Sequence, residues 1–485
     1  MPSPSPSQSA SGPTPRRRRL GWTLALLAFA QLITALDFNI VFVALPEIGR
    51  DLGFSAHTLQ WVTSAYAVAY GGFLLLGGRA ADLLGRRRLF VVALLLYALS
   101  SLVGGLAESS GLLVAARAVQ GLGGALLFPA TLSLVNTLFA EGAERNRALA
   151  IWSGAGASGL CLGSLLGGLL TDAFGWEAVF YVNVPLAGAG ALLAYAFIPA
   201  DGARQRGRSF DLPGAVTVTA GVTLLAFALI QGPESGWTSP IILAGFALAA
   251  VLLAVFLTVE ARSRDPLMPL RLLGNRSLSG AMAITLIFGA TFNALPYFLT
   301  LYFQAVHDYS ALSTGAAFLV PSLMIAAGTQ VGERMATRTG MRPTLLTGIV
   351  TGAVGAVLLA VGMSAGGSYW HILPGILVGG LGQGLTWTGM WIAAASGVAS
   401  GQQGVASGMA STALQVGTAL GLAVLVALAA RDTTGLAGEA LRGEITGGLR
   451  VAIYVAAAGI LLSALVALTF RSRQASGAQP VHVDA

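Results

Sequence analysis

Apolar segments long enough to cross a bilayer follow one another through almost the whole chain, and this constrains its fold more than any other feature. A hydrocarbon core of about 30 Å takes roughly 20 helical residues. Windows of that kind lie at 21–46, 58–79, 88–107, 111–138, 146–170, 177–199, 212–231, 238–258, 278–303, 312–331, 343–363, 369–396, 404–430 and 449–470. In lipid every backbone N–H and C=O needs an internal partner, so such windows are helices. Composition agrees: 55% of the 485 residues are hydrophobic and 10% charged, where soluble domains carry roughly 25% charged residues. The expected fold class is an all-α polytopic membrane protein with 14 transmembrane helices. The windows 212–231 and 238–258 are joined by only QGPESGWTS, and without that pair the count is twelve.

Charge supplies the topology. All 27 basic residues are arginine, and 22 of them fall in the segments that share a side with the N-terminus. The opposite side holds Arg50, Arg431, Arg442 and Arg450, while Arg117 falls inside a helix. Arginine excess marks the cytoplasmic side, so both termini are expected in the cytoplasm, which requires an even helix count. Arginines that alternate by loop make a topology signal rather than a nucleic-acid surface. Residues 1–19 read as a disordered basic N-terminus, rich in Ser and Pro before Arg16–Arg19. The apolar stretch after it is too long for a signal peptide and no small-residue cleavage site follows, so it reads as a retained first helix. Residues 20–200 then form a six-helix bundle, 201–265 a central two-helix insert with linkers, 266–470 a second six-helix bundle and 471–485 a tail. The halves echo each other weakly: ERMATRTGMRP at 333–343 sits where the second helix's loop would recur, without its acid, and 404–421 is glycine-rich like the fifth helix. Parallel pseudo-repeats of this kind are typical of transporters.

Other classes are excluded by what the chain lacks. The single Cys161 permits no disulfide framework within the chain, and His57, His307, His371 and His482 do not pair at metal-ligand spacing. Without a lysine there is no phosphate-binding loop of the ATPase type. Transport would run on an ion gradient, with no cofactor.

Asp37 is the most informative residue. It lies about two thirds of the way along the first helix with no charge near it in sequence. An ionised carboxylate in hydrocarbon is costly, so it faces a cavity, a partner or both, and such a group is a candidate proton carrier. The competing reading is a structural acid bonded to a neighbouring helix. On the fourth helix Arg117, Gln120, Gly121, Gly124 and Phe128 share one stripe, which lets Arg117 meet Asp37. Equally, Arg117 can satisfy backbone carbonyls or snorkel, being close to its helix start. Gly156, Gly159, Gly163 and Gly167, with Gly168 beside them, give the fifth helix one small-residue face, for static packing or for sliding. Trp61, Tyr66, Tyr70, Phe292, Tyr297, Trp387 and Trp391, with the amides of Gln120, Asn293, Gln304, Gln383 and Gln415, form a pool of cavity candidates; each singly is as readily a packing residue. Between the second and third helices, LGGRAADLLGRRRL at 76–89 reads as a tight turn: Gly78 and Gly85 for backbone freedom, Asp82 to cap or pair, Arg79 and Arg86–Arg88 for the anionic inner leaflet.

These stretches resemble a known family. The spacing G-x-x-x-D-x-x-G-R-R from Gly78 resembles the loop between helices 2 and 3 of the major facilitator superfamily, with Leu83 where that family usually has Arg. LDFNIVFVALPEI at 36–48 resembles the first-helix motif of its fourteen-helix drug:proton antiporter branch, with Asn39 and Phe42 replacing the usual Thr and Asn. RAVQGLGGALLFPA at 117–130 is similar to the fourth-helix motif, whose Arg is implicated in proton coupling, so the resemblance gives Arg117 that role. Gly154 and GSLLGG, Gly163–Gly168, resemble the antiporter motif of the fifth helix, with Ser164 in place of the usual Pro. The resemblance implies two bundles rocking about a central cavity, and a proton-coupled exporter of hydrophobic drugs or natural products in a bacterial inner membrane, working as a monomer. Asp37 would carry the proton, and Gly78, Arg79, Asp82, Gly85, Arg86 and Arg87 would form a latch. No further acid lies well inside a helix, which points to neutral or weakly charged substrates. A proton-coupled uptake symporter, or a narrow-substrate metabolite or lipid transporter on the same fold, is the alternative; a membrane enzyme or sensor has no catalytic or signalling motif to support it.

Overall fold

The computed structural model describes residues 15–54, 56–59, 61–201, 211–263, 266–429 and 436–470. Residues 1–14 of the expected disordered N-terminus, part of the linker after the sixth helix and the tail from 471 lie outside the described residues, while Pro15–Arg19, expected to be disordered, instead open the first helix. Fourteen long helical stretches follow in order. They are α1 Pro15–Asp51, α2 Trp61–Leu84, α3 Arg86–Gly105, α4 Ser110–Leu138, α5 Ala143–Phe174, α6 Asn183–Phe197 and α7 Leu212–Ser235. Then come α8 Pro240–Arg262, α9 Arg276–Ala290, α10 Leu319–Thr339, α11 Met341–Gly362, α12 Tyr369–Ala395, α13 Gln403–Ala429 and α14 Gly438–Leu468. No strand occurs among the described residues.

Local chemistry sets the ends. Ser109, Asp211 and Asn275 cap α4, α7 and α9 by accepting backbone N–H groups that the first turn leaves without partners. The reversal between α2 and α3 takes a single residue, Gly85, at φ 100°, and that between α10 and α11 takes Gly340 at φ 96°. Only glycine enters that region without steric cost. The ninth window differs from an unbroken helix: α9 stops at Ala290, turns over Thr291–Ala294, and resumes at Leu295–Leu301.

By length and apolarity, twelve helices among the described residues can cross a membrane. The two left over, α5 and α12, have spanning length, 32 and 27 residues. Length and apolarity alone thus do not give the expected fourteen crossings.

Packing repeats itself. In the first half α1 packs on α5, α2 on α4, α3 on α4 and α3 on α6. In the second half α9 packs on α13, α10 on α12, α11 on α12 and α11 on α14. Across the seam α2 meets α13 and α5 meets α10, again as matching pairs. Helices α7 and α8 pack on each other, and α7 also lies against both α2 and α13. Only 22% of the apolar window of α8 is buried, so that helix presents most of its surface outward.

Candidate functional site

Two helices, α4 and α6, bring polar side chains to Asp37 of α1, which is fully buried. Its Oδ2 accepts from Arg117 Nη1 at 2.9 Å; its Oδ1 accepts from Gln120 Nε2 at 2.9 Å and from Asn183 Nδ2 at 2.6 Å. Arg117 has three further contacts. Its Nε donates to the Val62 carbonyl of α2 at 2.9 Å, its Nη1 to Gln120 Oε1 at 2.7 Å, and its guanidinium lies 4.5 Å from the centre of the Tyr66 ring. Gln120 Nε2 also donates to Ser101 Oγ on α3 at 2.8 Å. Two opposite charges so far from water hold only when each retains its partners, because removing one leaves the other uncompensated. The two sequence readings of Arg117, bonded to a carbonyl or paired with Asp37, are both met at once.

The network sits toward the end away from Gly85. Val62 opens α2, Arg117 lies in the second turn of α4, Ser101 is near the close of α3, and Asn183 begins α6. Asn183 and Ser101 were not among the sequence candidates. The available signal was a polar residue breaking an apolar run, as in YVNVPLAG for Asn183. Glycines on α5 bring that helix onto the same part of α1: a β-carbon on Gly159 would strike the Leu32 carbonyl, and one on Gly163 the Leu36 carbonyl. Gly154 faces the other bundle, 3.7 Å from Thr329 Oγ1 for an added β-carbon. Gly167 is buried and Gly168 half-buried, while the side chain of Ser164 lies outside the described residues.

A second polar site closes the arginine-rich end. Helix α2 continues through Leu84, so Gly78, Arg79 and Asp82 are helical, and the expected turn shrinks to Gly85. Gly78 serves close approach instead, since a β-carbon there would strike the Gly404 carbonyl. The Asp82 carboxylate accepts the N–H groups of Gly404 and Val405, at 3.2 and 3.0 Å, and Arg86 Nη2 at 3.2 Å. Gly404 and Val405 lie in the first turn of α13, where free N–H groups and the helix dipole favour an anion. Arg86 also donates to the Ser400 carbonyl at 2.6 Å and to Ser133 Oγ at 2.7 Å. The arginines are therefore not all leaflet anchors. Arg79 is buried, the Arg87 guanidinium lies 5.5 Å from the Tyr195 ring centre, and Arg88 is exposed. Asp201 caps α3 by accepting the N–H groups of Arg87 and Arg88 at 2.9 and 3.1 Å. The second half has a counterpart with a hydroxyl, itself donating to Glu333 Oε1 at 3.4 Å, in place of the carboxylate. Thr337 precedes Gly340 by three residues, as Asp82 precedes Gly85, and its Oγ1 accepts Asn146 Nδ2 of α5 at 3.1 Å.

Between the two sites the cavity pool divides. Tyr66 stacks on Tyr70 at 5.7 Å, and Tyr70 meets Phe128 edge-on at 6.5 Å. Phe128 then contacts Trp152 at 5.2 Å within its own bundle and Trp391 at 5.6 Å across the seam. Trp391 meets Trp387 at 5.7 Å, Trp387 meets Phe288 at 5.4 Å, and Phe288 meets Phe292 at 4.8 Å. One chain of rings so joins the Arg117 site to the second bundle. Trp387 and Trp391 share a face of α12 at i, i+4; Trp152 and Phe288 were absent from the sequence pool. Trp61 lies off this chain, stacked on Phe227 of α7 at 5.8 Å, and Tyr297 is 42% exposed beside Phe298. Asn293 donates to Thr418 Oγ1 at 3.2 Å at the break in α9. Gln383 and Gln415 are half-buried, the latter's β-carbon 3.8 Å from a β-carbon built on Gly71 at the α2–α13 contact. Gln304 is exposed.

The family model described as Major Facilitator Superfamily matches residues 27–422. The chain is 40% identical over 329 residues to the puromycin resistance protein of Streptomyces alboniger, covering 68% of this chain and 65% of that one. It is 40% identical over 311 residues to the cephamycin export protein of Amycolatopsis lactamdurans, 64% of each. It is 36% identical over 312 residues to the multidrug resistance protein Stp of Mycobacterium tuberculosis, covering 64% of this chain and 58% of that one. The matched region thus spans less than two thirds of each relative. Among solved structures, the human organic anion transporter MFSD10 superposes with a TM-score of 0.67 at 16% identity, covering 94% and 100% of the two chains. The proton:xylose symporter XylE does so at 0.67 and 13% identity, covering 93% and 96%. At that identity these two speak to the fold alone.

Proposed function

The chain belongs to the Major Facilitator Superfamily, and from that premise we propose that it exports hydrophobic drugs or natural products in exchange for protons, crossing a bacterial inner membrane fourteen times with both termini in the cytoplasm and acting as a monomer without a cofactor. The observation that carries this reading is the fully buried Asp37, held by Arg117, Gln120 and Asn183 inside the first bundle. Buried ionisable groups in membrane helices mark ion pathways by default. Relatives named for puromycin resistance, cephamycin export and multidrug resistance support export as the direction.

The coupling runs through α2. When Asp37 takes a proton from outside, its attraction for the Arg117 guanidinium falls, and the hold of Arg117 on the Val62 carbonyl loosens with it. Val62 and Asp82 lie on one helix, about 30 Å apart at 1.5 Å per residue. A tilt of α2 at one end therefore bears on the Asp82 contact with α13 at the other. Protonation shifts the balance between the inward-open and outward-open states only through a difference in proton affinity between them. Release of the proton on the cytoplasmic side restores the Arg117 pair and resets the exchanger.

The test expresses wild type and Asp37→Asn at matched membrane levels in an efflux-deficient bacterial host, against cationic, neutral and anionic antimicrobials. Wild-type resistance that disappears in Asp37→Asn is the expected result. Resistance that survives the substitution makes Asp37 structural. No protection by the wild type against any compound removes drug export, and substrate accumulation in right-side-out vesicles then identifies uptake.

A further inference from the structure

Two acids of the inserted helix pair are buried at the arginine-rich end. Asp211 caps α7 and Glu260 lies in the last turn of α8; they are 7% and 3% exposed. Both oxygens of Glu260 are bonded, Oε1 accepting the Leu267 N–H at 3.1 Å and Oε2 that of Met268 at 2.9 Å. Asp211 is bonded on one side only. Its Oδ1 accepts the Gly214 N–H at 2.9 Å, while its buried Oδ2 has no donor. The two carboxyls border one point: a β-carbon built on Gly214 would lie 2.7 Å from Glu260 Oε1 and 3.0 Å from the Asp211 carboxyl carbon. Among the described residues, the charges acting on Glu260 are those of Asp211 and of Arg79 on α2, itself 4% exposed. Arg262, the next charge on α8, is exposed. Two buried negative charges against one positive leave an excess out of water, which is costly. Capping alone would be served by Asn at 211, which carries no charge.

We infer that Asp211 and Glu260 form a second proton site, which holds one proton between them while the arginine-rich end is closed and returns it to the cytoplasm when that end opens. One proton leaves a single negative charge to match Arg79, and it belongs to the pair rather than to either acid. Opening brings water to the pair, which then holds the proton less tightly. A ligand favours the state that binds it better, so acid in the cytoplasm keeps this end shut and a rising pH frees it. Arg79 carries the effect, standing one turn before Asp82 on α2, whose carboxylate makes the contact with α13. Titration of Asp82 itself would act in the opposite sense, since a proton there weakens those bonds. The inference rests on the exchange reading and adds its control from inside; this proton never crosses the membrane.

The test reads this closure without drug or gradient, on the purified full chain in detergent carrying Ser400→Cys and Cys161→Ser. Maleimide labelling is followed across the neutral pH range and divided at each pH by the rate for the unfolded protein, which removes the ionisation of the thiol. One linked proton makes this ratio rise with pH by up to about tenfold per unit. Asp211→Asn keeps a cap for the Gly214 N–H, and Glu260→Gln keeps an acceptor for the linker. Each is expected to flatten the rise to less than about twofold per unit, while Asp37→Asn retains it. A ratio that is flat or falls with pH without these substitutions, an undiminished rise in either folded variant, or loss of the rise in Asp37→Asn overturns the inference. Export fails separately, in the resistance assay on Asp37→Asn, where this slope plays no part.

Discussion

At the residue scale, Arg117 joins a charge to a backbone. One nitrogen holds Asp37 and another the Val62 carbonyl, so its loss leaves an acid stranded and a carbonyl bare. Arg117→Met is expected to destabilise the protein by about 3–5 kcal/mol, the usual cost of breaking a buried pair from one side. Removing both charges, as Asp37→Leu with Arg117→Met, should recover much of that, because nothing ionised stays behind. Thermal unfolding in detergent checks this, and a single variant as stable as wild type would contradict the burial of the pair. Both variants should lack proton-driven flux. Asn183→Ala removes a 2.6 Å bond to the same carboxylate and should cost about 1.5–3 kcal/mol, as for hydrogen bonds to charged groups.

At the scale of elements, the two seam closures at the arginine-rich end are built alike and charged differently. Asp82 presents a carboxylate to the α13 N-terminus, while Thr337 accepts one neutral amide from α5. An acid at a helix start is worth about 0.5–2 kcal/mol, and a neutral hydrogen bond about 0.5–1.5 kcal/mol. Asp82→Ala should therefore open this end more than Thr337→Val does. A cysteine placed at Ser400, in a Cys161→Ser background, reports it: maleimide labelling should rise more for Asp82→Ala. Equal rates in both would make the carboxylate incidental. Gly85→Ala places a β-carbon against the Asp201 carboxylate at a φ of 100°, and reduced yield of folded protein is expected. The sequence suggested a loop here because two glycines bracket the motif. Gly78 in fact serves helix contact, and nothing local in the sequence separates a glycine needed for a turn from one needed by a neighbour.

At the scale of the whole molecule, α7 packs on α2 and on α13 and so touches both bundles. The inserted pair is thus seated beside the helices whose contact closes the arginine-rich end. If all fourteen helices cross, alkaline phosphatase fused after Gly236 is active and a green fluorescent protein fused after Ala485 fluoresces. A fluorescent fusion at Gly236 would place the α7–α8 connection inside and rule that topology out.

Hydropathy alone determined that the chain is a bundle of membrane helices, and charge order gave the expected sidedness of its ends, because both depend on residues adjacent in sequence. They also marked Asp37 and Arg117, since a charge inside an apolar run is visible without knowing its neighbours. Only the tertiary structure decided what those charges meet. Asn183 reaches Asp37 from 146 positions away, and Trp152 joins Trp391 from another bundle. Helical periodicity tells which residues share a face of one helix, but which helix lies opposite that face is settled by the packing of all of them together.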